Sequence, residues 1–135
     1  MDAPEHNTQN VVLHEFAHQL DSESGSNNGA PWLGDRASYQ RWSEVLSRDY
    51  ANLQVDAMYR QQSVLDHYGA SSPAEFFAVA TEAFFARPYE MASHHPQLFG
   101  EFLRYYRVDP REWLAAPVQP EPAAYYGQPA YGQWQ

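Results

Sequence analysis

The sequence predicts a small, mainly α-helical domain. Apolar residues recur at three- and four-residue steps in several segments, and no segment of any length has the two-residue alternation of a strand. A chain of 135 residues has the size of one ordinary domain. We therefore expect one helical fold over residues 1–116, followed by a disordered tail over 117–135 that is rich in Pro, Tyr, Gly and Gln.

The first helix is expected to begin near Asn7 or Thr8, after a polar N-terminus. A loop is expected over residues 21–34, which are rich in Ser, Asn and Gly. The apolar residues of the helix cover a surface wide enough for a largely buried helix, and they are Val11, Val12, Leu13, Phe16, Ala17 and Leu20.

Ser72 and Pro73 form the start of a later helix, because Ser is favoured at the N-cap and Pro at the first helical position. Pro88 is expected to end it, because proline cannot continue a helix. The other helices are predicted over about residues 35–57 and 96–107, with a short last turn over 109–114.

Composition excludes several function classes. The formal charge of -9 argues against nucleic acid and anionic membranes as partners, because both attract clustered Lys and Arg. No apolar run approaches the roughly 20 residues of a membrane span, and the N-terminus lacks the features of a signal peptide. The absence of cysteine rules out thiolate metal ligands and favours a reducing compartment, so we expect a soluble, cytoplasmic chain.

The first helix contains the motif H-E-x-x-H, formed by His14, Glu15 and His18. Residues four apart lie on one face of a helix, so both imidazoles can bind one metal ion, and Glu15 lies beside that ion as a base. The alternative is a solvated helix edge that carries the same residues by chance. Apolar neighbours favour the metal site, because a buried histidine needs a partner.

A catalytic zinc ion usually has three protein ligands, so a third ligand is needed. Residues 19–24 contain no histidine, which excludes the metzincin pattern. A later helix offers Glu75 and Glu82, which are two turns apart and share one face. Glu75 also completes a capping box with Ser72, and spacing alone does not decide between the two glutamates.

Three segments together resemble a known family. They are HEFAHQLD at 14–21, GAP at 29–31, and YGASSPAEFFAV at 68–79 with Glu82 and two phenylalanines after it. This set resembles the zinc-dependent peptidases of the Mlc titration factor A family, whose active site is similar to that of anthrax lethal factor. The resemblance runs from about residue 10 to about 114 and excludes the tail. It implies a helical, gluzincin-like zinc-binding subdomain that lacks the N-terminal sheet of complete members.

The resemblance also implies roles for individual residues. By analogy, the ligands of one Zn²⁺ are His14, His18 and Glu75, the general base and acid is Glu15, and Tyr68 steadies the oxyanion. Glu82 matches a recurring family glutamate, which we interpret as a supporting residue. Two further residues have open interpretations: Asp21 either accepts a proton from a ligand histidine or makes a loop contact, and His67 either orients substrate or is plain surface.

The expected reaction is peptide-bond hydrolysis, with aminopeptidase-like action on short peptides as a family implication. Because little chain precedes His14, we expect half of a larger catalytic unit and weak activity for this chain alone. The competing hypothesis is a module that binds a transcriptional repressor, with zinc in a structural role. A purely zinc-stabilised structural unit is the third possibility.

Overall fold

The computed structural model describes residues 8–23, 25 and 28–118, and these residues form helices and loops without a strand. The mainly α fold class is therefore confirmed. None of the helices within these residues has the length and hydrophobicity of a membrane-spanning segment. From residue 119 onward, the predicted tail lies outside the described residues. The five α-helices are α1 (Thr8–Glu23), α2 (Arg36–Met58), α3 (Pro73–Ala86), α4 (Pro88–His94) and α5 (Pro96–Tyr106), with 3-10 turns at His67–Ala70 and Pro110–Glu112.

Helix α4 is an element that the sequence analysis did not assign. Pro88 was expected only to end the preceding helix, but it is also the first residue of α4. The break between α3 and α4 lies at Arg87, whose backbone leaves the helical region at φ -136° and ψ 53°. Proline is well suited to a first helical position because an N–H at that position would have no partner within the helix, so its absence costs no hydrogen bond. One proline thus ends a helix and begins the next.

Side chains cap the starts of α2 and α3. The Asp35 carboxylate accepts a hydrogen bond from the Ser38 amide at 2.8 Å, and this bond lowers the pKa of Asp35. Ser72 accepts a hydrogen bond from the Glu75 amide at 3.2 Å, with Pro73 in the first turn, as predicted. The start of α3 is therefore fixed just before Glu75, which makes the position of that glutamate well defined.

The core is an aromatic cluster around α3. Phe77, Phe84 and Phe102 are fully or almost fully buried, and Trp42 from α2 stacks on Phe102 with ring centroids 5.2 Å apart. Such pairs contribute about 0.5–1.5 kcal/mol each beyond their buried area. Tyr106 stacks on Phe84, and burial raises the pKa of its hydroxyl. Helix α3 is thus held from several sides by α2 and α5.

Gly29, in the loop between α1 and α2, contacts three helices. Its amide donates to the carboxylate of Asp21 in α1 at 2.9 Å, and its carbonyl accepts from the Trp42 indole of α2 at 2.9 Å. Its backbone has φ +82°, and a Cβ atom added there would lie 2.5 Å from the carbonyl oxygen of Pro73 in α3. Only glycine meets both conditions without strain.

Helix α1 is less buried than the sequence predicted. Ala17 and Asp21 are fully buried, but Val11, Val12 and Phe16 are 51%, 60% and 49% exposed. Among the described elements, α3 is the only one with which α1 makes extensive contact. The expectation of a largely buried helix is therefore wrong. The apolar side chains of α1 lie on several of its faces, but only the face toward α3 is covered by a neighbouring helix.

Candidate metal centre

His14 and His18 lie one turn apart on the face of α1 that meets α3. Their ring centroids are 4.8 Å apart and their planes are nearly perpendicular, at 74°. Both side chains are largely buried, with 17% and 26% of their surface exposed. The four-residue spacing thus brings two imidazoles into one partly buried space, as helix geometry requires.

Glu75 meets both histidines from the first turn of α3. Its Oε1 atom lies 2.9 Å from Nε2 of His14 and 3.1 Å from Nε2 of His18. The three potential ligand atoms all lie within 4.8 Å of one another. Among the described residues, this is the only such group of three.

The donor set fits a zinc ion. Two imidazole nitrogens and one carboxylate oxygen are ligands that zinc accepts in catalytic sites. Tetrahedral bonds of about 2.0–2.1 Å imply about 3.4 Å between neighbouring ligand atoms. The two separations between the Glu75 carboxylate and the imidazoles, 2.9 and 3.1 Å, are within a few tenths of an ångström of that value, and all three ligand atoms lie within 4.8 Å of one another, so side-chain rotations would accommodate the ion.

The capping-box interpretation of Glu75 holds only in part. Its amide donates to Ser72 as in a capping box, but its carboxylate contacts His14 and His18. In a complete capping box the carboxylate would accept from the N-cap amide. The side chain of Glu75 therefore binds the two histidines, while its backbone amide takes part in capping the start of α3.

Glu82 lies on the other side of His14. Its Oε2 atom contacts Nδ1 of His14, and 20% of the Glu82 side chain is exposed. The sequence left Glu82 open as an alternative ligand or a supporting residue. In the structure Glu75 faces both Nε2 atoms, whereas Glu82 faces the remaining nitrogen of one ring.

Tyr68 borders this centre, and Glu15 follows His14 in the sequence. Glu15 is exposed, next to His14 in α1. Tyr68 is 57% exposed, and its ring centroid lies 6.1 Å from that of His14. Asp66 fixes the backbone of the 3-10 turn there by accepting a hydrogen bond from the Tyr68 amide at 2.9 Å.

The other two candidates make local contacts. Asp21 accepts from the amide of Gly29 and so makes the loop contact that was one of its two interpretations. His67 contacts the carbonyl of Gln61 through Nε2 at 2.7 Å. The described contacts therefore give both residues a role in loop structure.

Sequence reasoning missed a cleft that adjoins the centre at Glu82. It has a volume of about 670 Å³ and lies between α3, α4 and the loop before the 3-10 turn. Its existence depends on α4, which the sequence analysis did not assign. The polar residues in its lining include Asp66, His67, Glu82, Arg87, Glu90 and His94.

Comparisons with known proteins agree with the motifs. A family model described as glucose-regulated metallo-peptidase M90 matches residues 2–107. The uncharacterized protein slr2042 of Synechocystis is 45% identical over 101 residues, which cover 75% of this chain and 37% of that protein. Mlc titration factor A of Yersinia pestis (strain Pestoides F) and of Yersinia pseudotuberculosis (strain YPIII) are each 38% identical over 104 residues, which cover 75% of this chain and 38% of theirs.

The chain thus spans well under half the length of the curated relatives that it matches. The family model nevertheless covers more than half of the chain and includes both histidines and both glutamates of the cluster. The resemblance inferred from the motifs is confirmed. The chain belongs to the glucose-regulated metallo-peptidase M90 family, which includes relatives of Mlc titration factor A.

Proposed function

We propose that this chain is the zinc-binding part of a metallopeptidase that hydrolyses peptide bonds, with aminopeptidase-like action on short peptides. The observation that carries the proposal is the convergence of His14, His18 and Glu75, with their ligand atoms within 4.8 Å of one another. Membership of a metallopeptidase family supports it independently. We assign residues 1–116 to this unit and the remainder to a tail.

The proposed chemistry divides between the ion and the protein. A zinc ion supplies a Lewis acid that polarises a peptide carbonyl and lowers the pKa of a water to about 7. Glu15 is exposed and adjoins His14, so its carboxylate is accessible to take a proton from the attacking water and to pass it to the leaving amine. Glu15 is therefore the proposed general base and acid.

Tyr68 is the proposed donor to the oxyanion. Its ring lies 6.1 Å from that of His14, and its exposed side chain is accessible to a substrate. A phenol O–H beside the reacting carbonyl donates a hydrogen bond that strengthens as negative charge develops on the oxygen. Removing one such donor typically lowers kcat by about 10²–10³-fold.

Weak activity is expected from the chain alone. The matched region covers only 37–38% of the length of the curated relatives, and we infer that the rest of such proteins contributes to substrate binding. Zinc binding with little cleavage fits this proposal. Robust cleavage by the isolated chain would contradict the statement that the chain is only part of a catalytic unit.

Metal content and cleavage of variants test the function. We expect one zinc ion per wild-type chain, and loss of that zinc in His18→Ala, which removes a ligand. Glu15→Gln should keep the zinc and reduce cleavage of fluorogenic peptides by about 10²–10⁴-fold, because the ligands remain and the base is lost. Failure of the wild type to bind zinc would contradict the proposal, as would unchanged cleavage by Glu15→Gln.

A second candidate function is a module that binds a transcriptional regulator, with zinc in a structural role. The exposed apolar residues Val12 and Phe16 of α1 favour it, as does the name Mlc titration factor A of the Yersinia relatives. In that case Glu15→Gln and the wild type would bind the Mlc regulator from Yersinia equally, without cleaving peptides. Loss of peptide cleavage in Glu15→Gln would instead support the enzyme.

A further inference from the structure

The imidazole of His14 lies between two carboxylates of the same helix. Glu75 and Glu82 are seven residues apart in α3, which places them about 10 Å apart along its axis. Glu75 contacts Nε2 of the ring and Glu82 contacts Nδ1. Both edges of one ring on α1 are therefore held by α3.

The two contacts differ in what they require of the ring. A neutral imidazole has one nitrogen that donates and one that accepts, whereas a carboxylate only accepts. When Nε2 binds a metal through its lone pair, the ring proton resides on Nδ1, where Glu82 is placed to accept it. Glu82 thus favours both the tautomer and the ring orientation that metal binding through Nε2 needs.

We propose that Glu82 is a positioning residue that holds His14 in its metal-binding state. The inference rests on the metal-binding part of the proposed function and adds a role for a residue outside the three-ligand set. A carboxylate that accepts from a ligand histidine also makes that histidine a stronger ligand. Loss of such a partner typically weakens metal affinity by about 10–100-fold.

A purely structural role for Glu82 has a different signature. If the pair only tied α1 to α3, removing it would lower the stability of the metal-free chain and would leave the metal environment of the folded protein unchanged. If Glu82 positions His14, zinc affinity and the metal spectrum change as well, in addition to any loss of stability of the metal-free chain. Zinc affinity, the absorption spectrum of bound Co²⁺ and the melting temperature without metal separate the two roles.

The experiment compares Glu82→Gln and Glu82→Ala with the wild-type chain and with Glu90→Gln. Glu90 lines the same cleft from α4, and its nearest described ion pair is with Arg87 at 4.0 Å, so its variant controls for removal of one negative charge. We expect the Kd for zinc to rise about 10–100-fold in both Glu82 variants and less than about twofold in Glu90→Gln. The Co²⁺ spectrum should shift only in the Glu82 variants.

Nitrogen NMR of the imidazole in the zinc-loaded chain gives a direct readout. In the wild type the Nδ1 proton of His14 should exchange slowly with water, whereas in Glu82→Ala it should exchange faster. Unchanged zinc affinity and an unchanged spectrum in both Glu82 variants would overturn the inference while leaving the proposed function intact. Absence of zinc binding in the wild type would overturn both.

Discussion

Helices α1 and α3 provide all the candidate metal ligands, yet they are buried very differently. In α3, Phe77 is fully buried, as are most residues of the helix, which packs against α1 and α5 and meets Trp42 of α2. In α1, Phe16 is 49% exposed, and only the face toward α3 is covered within the described part of the chain. The candidate centre therefore joins a helix fixed by the core to a helix attached along one side.

This difference gives the ligands different support. Glu75 is placed by a capped helix start and by the aromatic core beneath it. His14 and His18 are placed by the packing of one helix face and by polar contacts to Glu75 and Glu82. A metal ion bound by residues of both helices would replace contacts between side chains with bonds to one ion. It would therefore stabilise the position of α1 more than that of α3, which the core already fixes.

The largest expected effect is the contrast between two phenylalanines. Phe77→Ala should lower the free energy of unfolding by about 3–5 kcal/mol, because it removes a fully buried ring and leaves a cavity. Phe16→Ala removes the same atoms from an exposed face and should cost about 1 kcal/mol or less. Urea denaturation of the two variants measures the difference, and equal losses would show that α1 is as tightly packed as α3.

A second effect concerns zinc and the opening of α1. Without metal, the amides of α1 around His18 should exchange with solvent faster than those of α3 around Phe77, since a helix packed on one side opens locally. Zinc at 100 times its Kd should stabilise the folded state by about 2.7 kcal/mol and slow the exchange in α1 by up to about 100-fold. Hydrogen exchange followed by mass spectrometry tests this, and equal exchange rates in both helices without metal would contradict it.

The elements with local signals were predictable from the sequence. Ser72 and Pro73 identify the start of α3 because capping and proline preferences depend on neighbouring residues alone. The pairing of His14 with His18 follows from helix periodicity in the same way. These features needed no knowledge of what packs against them.

The remaining features depend on contacts between distant residues. Spacing did not separate Glu75 from Glu82, because both lie on one face of α3 and only the packing of α1 decides which histidine nitrogen each one meets. The exposure of Val12 was missed for a similar reason: an apolar pattern shows that a face favours burial but not that a neighbour covers it. Pro88 gives a local signal, but that signal is ambiguous between an end and a start.

The smallest expected effect concerns the loop between α1 and α2, which meets α3 at Gly29. Gly29→Ala should lower the free energy of unfolding by about 2 kcal/mol, because its backbone has φ +82° and the new Cβ would lie 2.5 Å from a backbone oxygen of Pro73. Gly25→Ala is the matched control. Gly25 has φ +92°, but a Cβ there meets no atom of the described residues within 4 Å, so strain of about 1 kcal/mol is expected.

The two glycine variants should also differ at the metal centre. Pro73 is two residues before Glu75, and Gly29 bonds Asp21 in the same helix as His18, so a displacement at Gly29 alters the separation of the ligands. We expect Gly29→Ala to weaken zinc binding and Gly25→Ala to leave it unchanged, as measured by competition with a zinc chelator. Equal zinc affinities in two folded variants would mean that the contacts of His14 and His18 with α3, rather than the loop, determine how α1 is placed.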